Sequence, residues 1–156
     1  MTRFSLCDPE VPPASDLLAE MAVELIAMYE DFRRLDKPAL VPAELRAPGG
    51  AYLVGTDGEL AVAGGGLRGL SEGVAEIKRM FVRPAARSRG VAGELLAALE
   101  DTARSLGYRV VRLDTGPKQV HAQSLYRRAG FIDIEPYNDN PFACYWGEKQ
   151  LAGAEQ

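Results

Sequence analysis

Cysteine and histidine are scarce in this sequence of 156 residues, which contains two cysteines and one histidine. Cys7 and Cys144 are too few for a disulfide framework and do not form a Cys-x-x-Cys pair, so we expect two buried or half-buried free thiols. His121 has neither a second histidine nor a nearby cysteine, and the usual ligands of a structural zinc site are therefore missing. We predict a protein without a bound metal.

Long apolar runs and an excess of positive charge are also missing. No apolar run approaches the ~20 residues that a membrane span needs, and the N-terminus lacks the apolar stretch of a secretory signal. We therefore expect a cytoplasmic protein that does not insert into a membrane. The net charge of −4 and the isoelectric point of about 5.1 argue against nucleic acid as the main partner, because nucleic-acid-binding domains are usually basic.

The remaining pattern predicts one α+β domain over residues 1–150 and a loose tail over residues 151–156. Apolar residues at helical spacing begin near Ser15 and Asp16, and two further helices are expected after residues 90 and 116. An Asp57-Gly58 turn predicts a hairpin in the middle of the chain. We expect a mixed, mostly antiparallel sheet flanked by helices. Its strands are expected at 2–7, 51–55, 60–68, 74–82, 109–114, 131–134 and 142–148.

Positive charge is concentrated in one segment of this acidic chain. Residues 77–93 contain no acidic side chain and five cations, which are Lys78, Arg79, Arg83, Arg87 and Arg89. A strand here leads through a short loop into a helix, which presents free backbone N–H groups and the positive end of the helix dipole to an anion. Gly90 and Ala92 let the backbone approach a ligand closely. The pattern favours a small anion such as a pyrophosphate.

Two common phosphate-binding motifs are absent. The chain contains neither Gly-x-x-x-x-Gly-Lys-Ser/Thr nor Gly-x-Gly-x-x-Gly after an early strand. The run Gly64-Gly65-Gly66 is not followed by a helical pattern, so we interpret it as a distortion within a strand. On composition alone, an ordinary basic loop before a helix explains residues 87–92 as well as an anion site does.

Three segments in a fixed order resolve part of this ambiguity. They read EIKRMFV at 76–82, RSRGVA at 87–92 and SLYRRAGF at 124–131. Together they resemble the GNAT superfamily of acyl-CoA-dependent N-acyltransferases, whose patterns are Arg/Gln-x-x-Gly-x-Gly/Ala and Leu-Tyr-x-x-x-Gly-Phe. The matching residues are Arg87, Gly90, Ala92, Leu125, Tyr126, Gly130 and Phe131. The resemblance covers about residues 74–131, and the earlier regions fit the family's fold in order without a specific motif.

The resemblance implies acetyl-CoA as co-substrate and a primary amine of a small molecule or peptide as acceptor. Family members splay the central strand from its neighbour and lay the pantetheine arm into the gap. Backbone groups of Met80, Phe81 and Val82 would then bind the arm, with the N–H of Met80 polarising the thioester carbonyl. The pyrophosphate would be held by the loop residues Arg87, Ser88, Arg89, Gly90, Val91 and Ala92. Many relatives have Asn where this chain has Gln119, whose longer amide could still reach the cofactor.

Direct attack by an amine requires a base and then an acid. An amine with the pKa of lysine, near 10.4, is neutral in roughly one molecule per thousand at pH 7, and the leaving thiolate needs a proton. The resemblance makes Glu76 the candidate base, acting through a water. Strand alternation would place it on one face with Lys78, Met80 and Val82. Tyr126 is the candidate acid, because a phenol with a pKa near 10 carries a proton at neutral pH.

Both residues also have a structural interpretation. Glu76 could be a surface glutamate paired with a neighbouring cation, and Lys78 and Arg79 would weaken it as a base. Tyr126 could pack its ring on Ala122 and Ala129, which lie four and three residues away on the same helix. This packing is compatible with a role as an acid.

Other residues could border the acceptor pocket. One group ends the first helix and consists of Arg33, Arg34 and Lys37. A second group lies near the C-terminus and consists of Tyr137, Tyr145 and Trp146. A solvated face and core packing are the simpler interpretations, although a basic pocket would suit a carboxylate-bearing acceptor. We expect His121 to be a solvated residue.

Three functions remain open at this stage. An N-acetyltransferase is the first, and a CoA-binding module or sensor without turnover is the second. They share the loop and differ in whether Glu76 and Tyr126 act. A nucleotide-binding protein is the third, and it would be stabilised by ATP or NAD instead of CoA. Family members are often dimers, so a homodimer is expected by resemblance alone.

Overall fold

A seven-stranded mixed sheet covered by helices organises the chain. The structure, a computed structural model, describes residues 1–29 and 41–151. The strand order is β1-β2-β3-β4-β5-β7-β6, and every neighbouring pair is antiparallel except β4 with β5. The strands are β1 Thr2–Leu6, β2 Ala51–Asp57, β3 Leu60–Ser71, β4 Val74–Val82, β5 Val110–Thr115, β6 Ile132–Asp133 and β7 Tyr145–Gln150. The helices are α1 Ala14–Met28, α2 Val91–Ser105 and α3 Val120–Arg128, with 3₁₀ turns at Pro42–Leu45 and Pro84–Ala86.

The predicted fold class is confirmed, and the errors lie at the ends of elements. The strand predicted at 74–82 has those bounds, whereas the preceding strand runs three residues further than predicted, to Ser71. Helix α1 begins without a side-chain cap from Ser15 or Asp16. Helix α3 begins at residue 120, because residues 116–119 form a turn in which Gln119 Oε1 accepts a hydrogen bond from the N–H of Gly116 at 3.1 Å. The loose tail was predicted for residues 151–156, but Leu151 packs on the core and its N–H donates to the carbonyl of Arg109 at 2.8 Å, whereas residues 152–156 lie outside the described residues.

Two apolar clusters occupy the two faces of the sheet. On one face, Leu95, Leu96 and Leu99 of α2 are buried against β3, β4 and β5. On the other face, Leu17 of α1 and Tyr52 of β2 belong to a smaller cluster. Burial of a leucine side chain stabilises a fold by about 1.5–3 kcal/mol, so the α2 face supplies most of the apolar stabilisation. None of the helices within residues 1–29 and 41–151 is long and apolar enough to cross a membrane.

The run of three glycines in β3 is a place of close approach. A Cβ on Gly64 would collide with the hydroxyl of Tyr52, and its ring carbon Cζ would lie 2.9 Å away. A Cβ on Gly66 would lie 2.8 Å from a methyl group of Leu45. On the opposite face, Gly65 lies under Met80 and Leu99. The glycines therefore let large side chains from both faces lie directly on the strand.

A β-bulge in β4 determines which way its side chains point. Gly64 pairs with Phe81 and Gly66 pairs with Lys78, so Arg79 and Met80 of β4 together oppose Gly65 alone. Arg79 adopts a positive φ of 62°. An extra residue at this position reverses the alternation of side chains along the strand.

The bulge corrects one prediction about this strand. Glu76, Lys78, Met80 and Val82 were expected on a single face. Instead, Met80 and Val82 pack on the α2 cluster, which also contains Ile77. Glu76 and Lys78 point to the opposite face, because they alternate with Ile77.

We expect Gly64→Ala to destabilise the protein by about 1–3 kcal/mol, because the new methyl group has no room beside the buried Tyr52 ring. The matched control is Gly93→Ala, where a Cβ would meet only Leu125 Cδ1 at 3.8 Å. Within α2, this change should stabilise by about 0.5–1 kcal/mol. Urea unfolding of the three proteins measures both effects, and equal midpoints for Gly64→Ala and the parent would contradict the close approach.

Candidate functional site

The parallel strands β4 and β5 part beyond their first three paired residues. Their register ends at Glu76 opposite Arg112, although β4 continues to Val82 and β5 to Thr115. A cleft of about 400 Å³ lies at this opening. Its lining includes Met80 and Tyr126, two of the predicted site residues. The opening agrees with the splayed strands that the GNAT resemblance implies.

Tyr126 reaches the cleft from α3 while its ring is held in the core. The ring stacks on Tyr145 with centroids 6.2 Å apart and also contacts Phe131 at 5.9 Å. Its hydroxyl lies 3.9 Å from Met80 Sδ. Burial raises the pKa of Tyr126 well above its usual value, and the charge of Asp114 adds to this effect. The phenol therefore holds its proton at neutral pH.

Glu76 lies in a buried network of hydrogen bonds. Its side chain is 1% exposed, and Oε1 accepts a hydrogen bond from Arg68 Nε at 3.0 Å. Oε2 accepts from the hydroxyl of Tyr137 at 2.8 Å and lies 3.6 Å from Lys78 Nζ. Burial raises the pKa of Tyr137, with the charge of Glu76 as the next cause, so this hydroxyl remains a donor. Glu76 is not among the residues that line the cleft.

Asp114 is the carboxylate that reaches the cleft itself. It is the last residue but one of β5, beyond the point where the strands part, and lines the opening. Lys78 Nζ donates to Asp114 Oδ1 at 3.1 Å, and Asn138 Nδ2 donates to Oδ2 at 2.6 Å. Trp146 Nε1 donates to Asn138 Oδ1 at 2.9 Å and holds that amide in place. Asp114 and Glu76 are thus joined through Lys78 and Asn138.

The cleft also contains a cation with no such partner. Arg79 lines the opening, and within the described part of the chain its guanidinium makes no hydrogen bond or ion pair. Burial lowers the pKa of Arg79 from its usual value, and the charge of Arg68 adds to this effect, whereas the charges of Asp114 and Glu76 oppose it. Arginine nevertheless stays charged at neutral pH. The guanidinium is therefore available to an anionic group inside the cleft.

The loop before α2 has the backbone geometry expected of an anion site. Ser88 and Gly90 both adopt positive φ values, of 66° and 82°. Gly90 is the N-cap of α2, and the helix has no side-chain cap. Within residues 1–29 and 41–151, the N–H groups of residues 88–90 have no backbone acceptor. These donors, those of the first helical turn and the helix dipole are therefore available to a bound anion.

The side chains of the loop arginines have different roles. Arg87 Nε donates to the carbonyl of Val82 at 2.8 Å, and its Nη2 bonds Glu24 of α1 at 2.8 and 2.9 Å. The guanidinium also lies 5.6 Å above the ring of Phe81. Arg87 thus ties the loop to β4 and α1. Arg89 is exposed, and no hydrogen bond or ion pair holds its side chain among the residues that the structure describes.

Gln119 lines the cleft at the start of α3. Its Oε1 accepts from the Gly116 N–H and lies 3.5 Å from the hydroxyl of Tyr29. The ring of Tyr29 packs on Phe142 with centroids 5.7 Å apart. Gln119 therefore stabilises one wall of the opening, next to an aromatic pair.

The remaining predicted residues are distributed as follows. Arg33, Arg34 and Lys37 lie outside the described residues. Tyr137 and Trp146 belong to the polar network, whereas Tyr145 is buried beside Tyr126. His121 is exposed, as expected. The free thiol of Cys7 is half-buried, but Cys144 is exposed, so the prediction of burial was wrong for Cys144.

Sequence reasoning missed four polar or aromatic residues of the site: Asp114, Asn138, Asn140 and Phe142. Asp114 carried a usable signal, because it is the last residue of the strand predicted at 109–114. Asn138 and Asn140 lie in an irregular segment without periodicity. Only folding brings this segment against the end of β5.

Comparison with known proteins supports the same family. The profile of the Acetyltransferase (GNAT) family matches residues 16–131, which is most of the chain. This chain belongs to the GNAT family. An "IAA acetyltransferase" from Azospirillum brasilense is 32% identical over 144 residues, which cover 89% of this chain and 94% of the relative.

Solved GNAT structures share the fold. A GNAT acetyltransferase from Staphylococcus aureus superposes with a TM-score of 0.76 at 16% identity, over 97% of this chain and 100% of the other. A GNAT acetyltransferase from Elizabethkingia anophelis with acetyl-CoA bound has a TM-score of 0.67 at 18% identity, over 96% and 98% of the two chains. At these identities the likeness supports the fold alone. Within the described ranges of this GNAT chain, no group of three or more His, Cys, Asp or Glu side chains could hold a metal ion.

The buried phenol of Tyr126 predicts a specific alkaline response. When folding raises the pKa of a tyrosine, the phenol does not affect the pH dependence of stability below about pH 10, the pKa in the unfolded chain. Above that pH the phenol ionises in the unfolded chain only, so the free energy of unfolding falls as the pH rises. We therefore expect the free energy of unfolding of the parent to fall relative to that of Tyr126→Phe above pH 10, by up to about 1.4 kcal/mol per pH unit. Urea unfolding between pH 8 and 11 measures this difference. A difference independent of pH would contradict the raised pKa.

Proposed function

We propose that this chain is an N-acetyltransferase that moves the acetyl group of acetyl-CoA directly to a primary amine of a small molecule or peptide. The parting of β4 from β5 carries the proposal, because it opens a cleft into which a proton donor, a carboxylate and an unpaired cation project. Clefts with apolar walls and a few convergent polar groups are the usual form of small-molecule sites.

Acetyl-CoA is proposed to bind along β4 and the loop before α2. The free edge of Met80, Phe81 and Val82 offers backbone groups to the pantetheine arm, since β5 no longer pairs with β4 there. The unpaired N–H groups of residues 88–92 would hold the pyrophosphate. The Elizabethkingia anophelis structure, which has acetyl-CoA bound, shares this fold and supports the proposal.

In the proposed reaction, the acceptor loses its ammonium proton and its nitrogen attacks the thioester carbonyl. The carbon–nitrogen bond forms, the carbon–sulfur bond breaks, and Tyr126 gives its proton to the departing thiolate. The attacking nitrogen loses its second proton to solvent as the amide forms, and solvent returns a proton to Tyr126. The N–H of Met80 is proposed to stabilise the oxyanion of the tetrahedral intermediate.

Glu76 remains the proposed general base, acting through a water. Its geometry demands that relay, because the carboxylate is buried and accepts hydrogen bonds from Arg68 and Tyr137. The same contacts support the second candidate function, a CoA-binding module of the same fold without turnover. In that case Glu76 would only stabilise the polar network.

Ligand-induced stabilisation tests the cofactor. We expect CoA or acetyl-CoA at about 100 times its Kd to stabilise the protein by about 2.7 kcal/mol, whereas ATP and NAD at the same concentrations should add less. Differential scanning fluorimetry measures the effect as a rise in Tm. The absence of a shift with either CoA species would remove the basis of both candidate functions.

Two variants test whether CoA binds at the N-terminus of α2. Ala92→Glu places a carboxylate in the first turn of α2, where it favours the helix dipole but repels the pyrophosphate. Ala97→Glu adds the same charge at an exposed position of the same helix. Only Ala92→Glu should lose the CoA-induced shift.

Turnover distinguishes the enzyme from the binding module. We expect Tyr126→Phe and Glu76→Gln each to lower kcat for thiol release by about 10²–10⁴, with little change in the CoA-induced Tm shift, because proton transfer contributes that much to the rate. The assay follows thiol release from acetyl-CoA across a panel of amines.

The control for Glu76→Gln is Glu44→Gln. Glu44 also bonds Arg68, at 2.9 Å, but from the solvent side. The Glu44→Gln variant therefore measures how much turnover falls when the ion pair between Glu44 and Arg68 is removed. If Glu76→Gln costs no more than Glu44→Gln, Glu76 is a structural residue and not the base.

A further inference from the structure

We propose that the acceptor is an α-amino acid with an apolar side chain, and that Arg79 binds its carboxylate. This inference rests on the proposed acetyl transfer and names the substrate class of the same cleft. It depends on how the charges at the opening are paired and on the apolar residues beside them.

The pairing of charges leaves Arg79 as the cation that can take an anionic group. Arg68 Nε lies 3.0 Å from Glu76 Oε1. Lys78 Nζ lies 3.1 Å from Asp114 Oδ1. Within the described part of the chain, the guanidinium of Arg79 has no hydrogen bond or ion pair, although it lines the cleft. Because a half-buried guanidinium without a hydrogen-bonded partner has lost part of its hydration, a carboxylate that forms a bidentate pair with it would bind favourably.

The backbone at Arg79 gives independent support. This residue is the extra member of the bulge and adopts a positive φ of 62°, which is uncommon for a residue with a side chain. Such backbone strain is found mostly at functional sites. The positive φ and the guanidinium without a hydrogen-bonded partner thus belong to the same residue of the cleft lining.

The rest of the cleft suits the remainder of an amino acid. Asp114 places a carboxylate in the same opening, so the cleft presents charges of both signs to a zwitterion. Apolar lining comes from α1 and from the segment before β7, through Leu25, Tyr29 and Phe142. These side chains would pack on an apolar side chain of the acceptor. After transfer, the products are an N-acetyl amino acid and CoA with a free thiol.

Matched acceptors test the carboxylate. L-phenylalanine, L-phenylalaninamide and 2-phenylethylamine share an amine and an aromatic ring, and only the first has a carboxylate. We expect kcat/KM for phenylalanine to exceed the values for the other two by at least about 30-fold. Equal values for the acid and the amide would overturn the inference.

Variants test the assignment to Arg79. R79Q should reduce the preference for the acid over the amide to within about 3-fold, whereas R3Q, which changes an exposed arginine on β1, should retain it. R79N is the second variant if R79Q does not fold, because asparagine adopts a positive φ readily. A preference that survives both R79 variants would overturn the role of Arg79.

A binding measurement keeps the inference separate from catalysis. Calorimetry of N-acetylphenylalanine with the CoA-loaded protein should show at least 10-fold weaker binding for R79Q than for the parent. If other amines are acetylated but no amino acid is, the inference fails and the proposed function stands. If CoA produces no Tm shift and no amine releases thiol, the proposed function itself fails.

Discussion

One extra residue in β4 determines the geometry of the site. Because Arg79 and Met80 together oppose Gly65, the side chains before and after the bulge exchange faces. Glu76 and Lys78 then share the face opposite α2, where only Lys78 reaches the cleft, while Met80 packs toward α2. The ladder with β5 has already ended at Glu76, so the strand edge beyond it is free for a ligand. A regular strand would place Met80 on the same face as Glu76 and Lys78.

Burial of charge is the second constraint on the site. Removing a carboxylate or a guanidinium from water costs several kcal/mol unless a partner compensates. Glu76 and Asp114 meet this cost with Arg68, Lys78 and neighbouring amides, and the network holds β4, β5 and the segment before β7 together. Because the buried carboxylate of Glu76 already accepts hydrogen bonds from Arg68 and Tyr137, its proposed role as a base requires a water between it and the acceptor.

The fold was largely predictable from the sequence, and the cleft only in part. Residues 74–82 were predicted to be a strand and form β4 in the structure. The small residues and positive charges of residues 87–92 predicted the loop before α2. The predicted alternation of side chains along β4 was wrong beyond Arg79. A bulge depends on how the strand pairs with its neighbour, and it leaves no periodic pattern in the sequence. Asp114 and Asn138 were missed for a similar reason, because 24 positions separate them along the chain.

By itself, the sequence determined the fold class, the family motifs and the order of strand, loop and helix, because these depend on neighbours within a few residues. The tertiary structure alone decided that Arg87 ties its loop to β4 and α1, that Glu76 is buried, and that Arg79 is left without a partner at the opening. Each of these facts depends on which distant side chains arrive at the same place, and the pairing of charges in space has no signature along the chain.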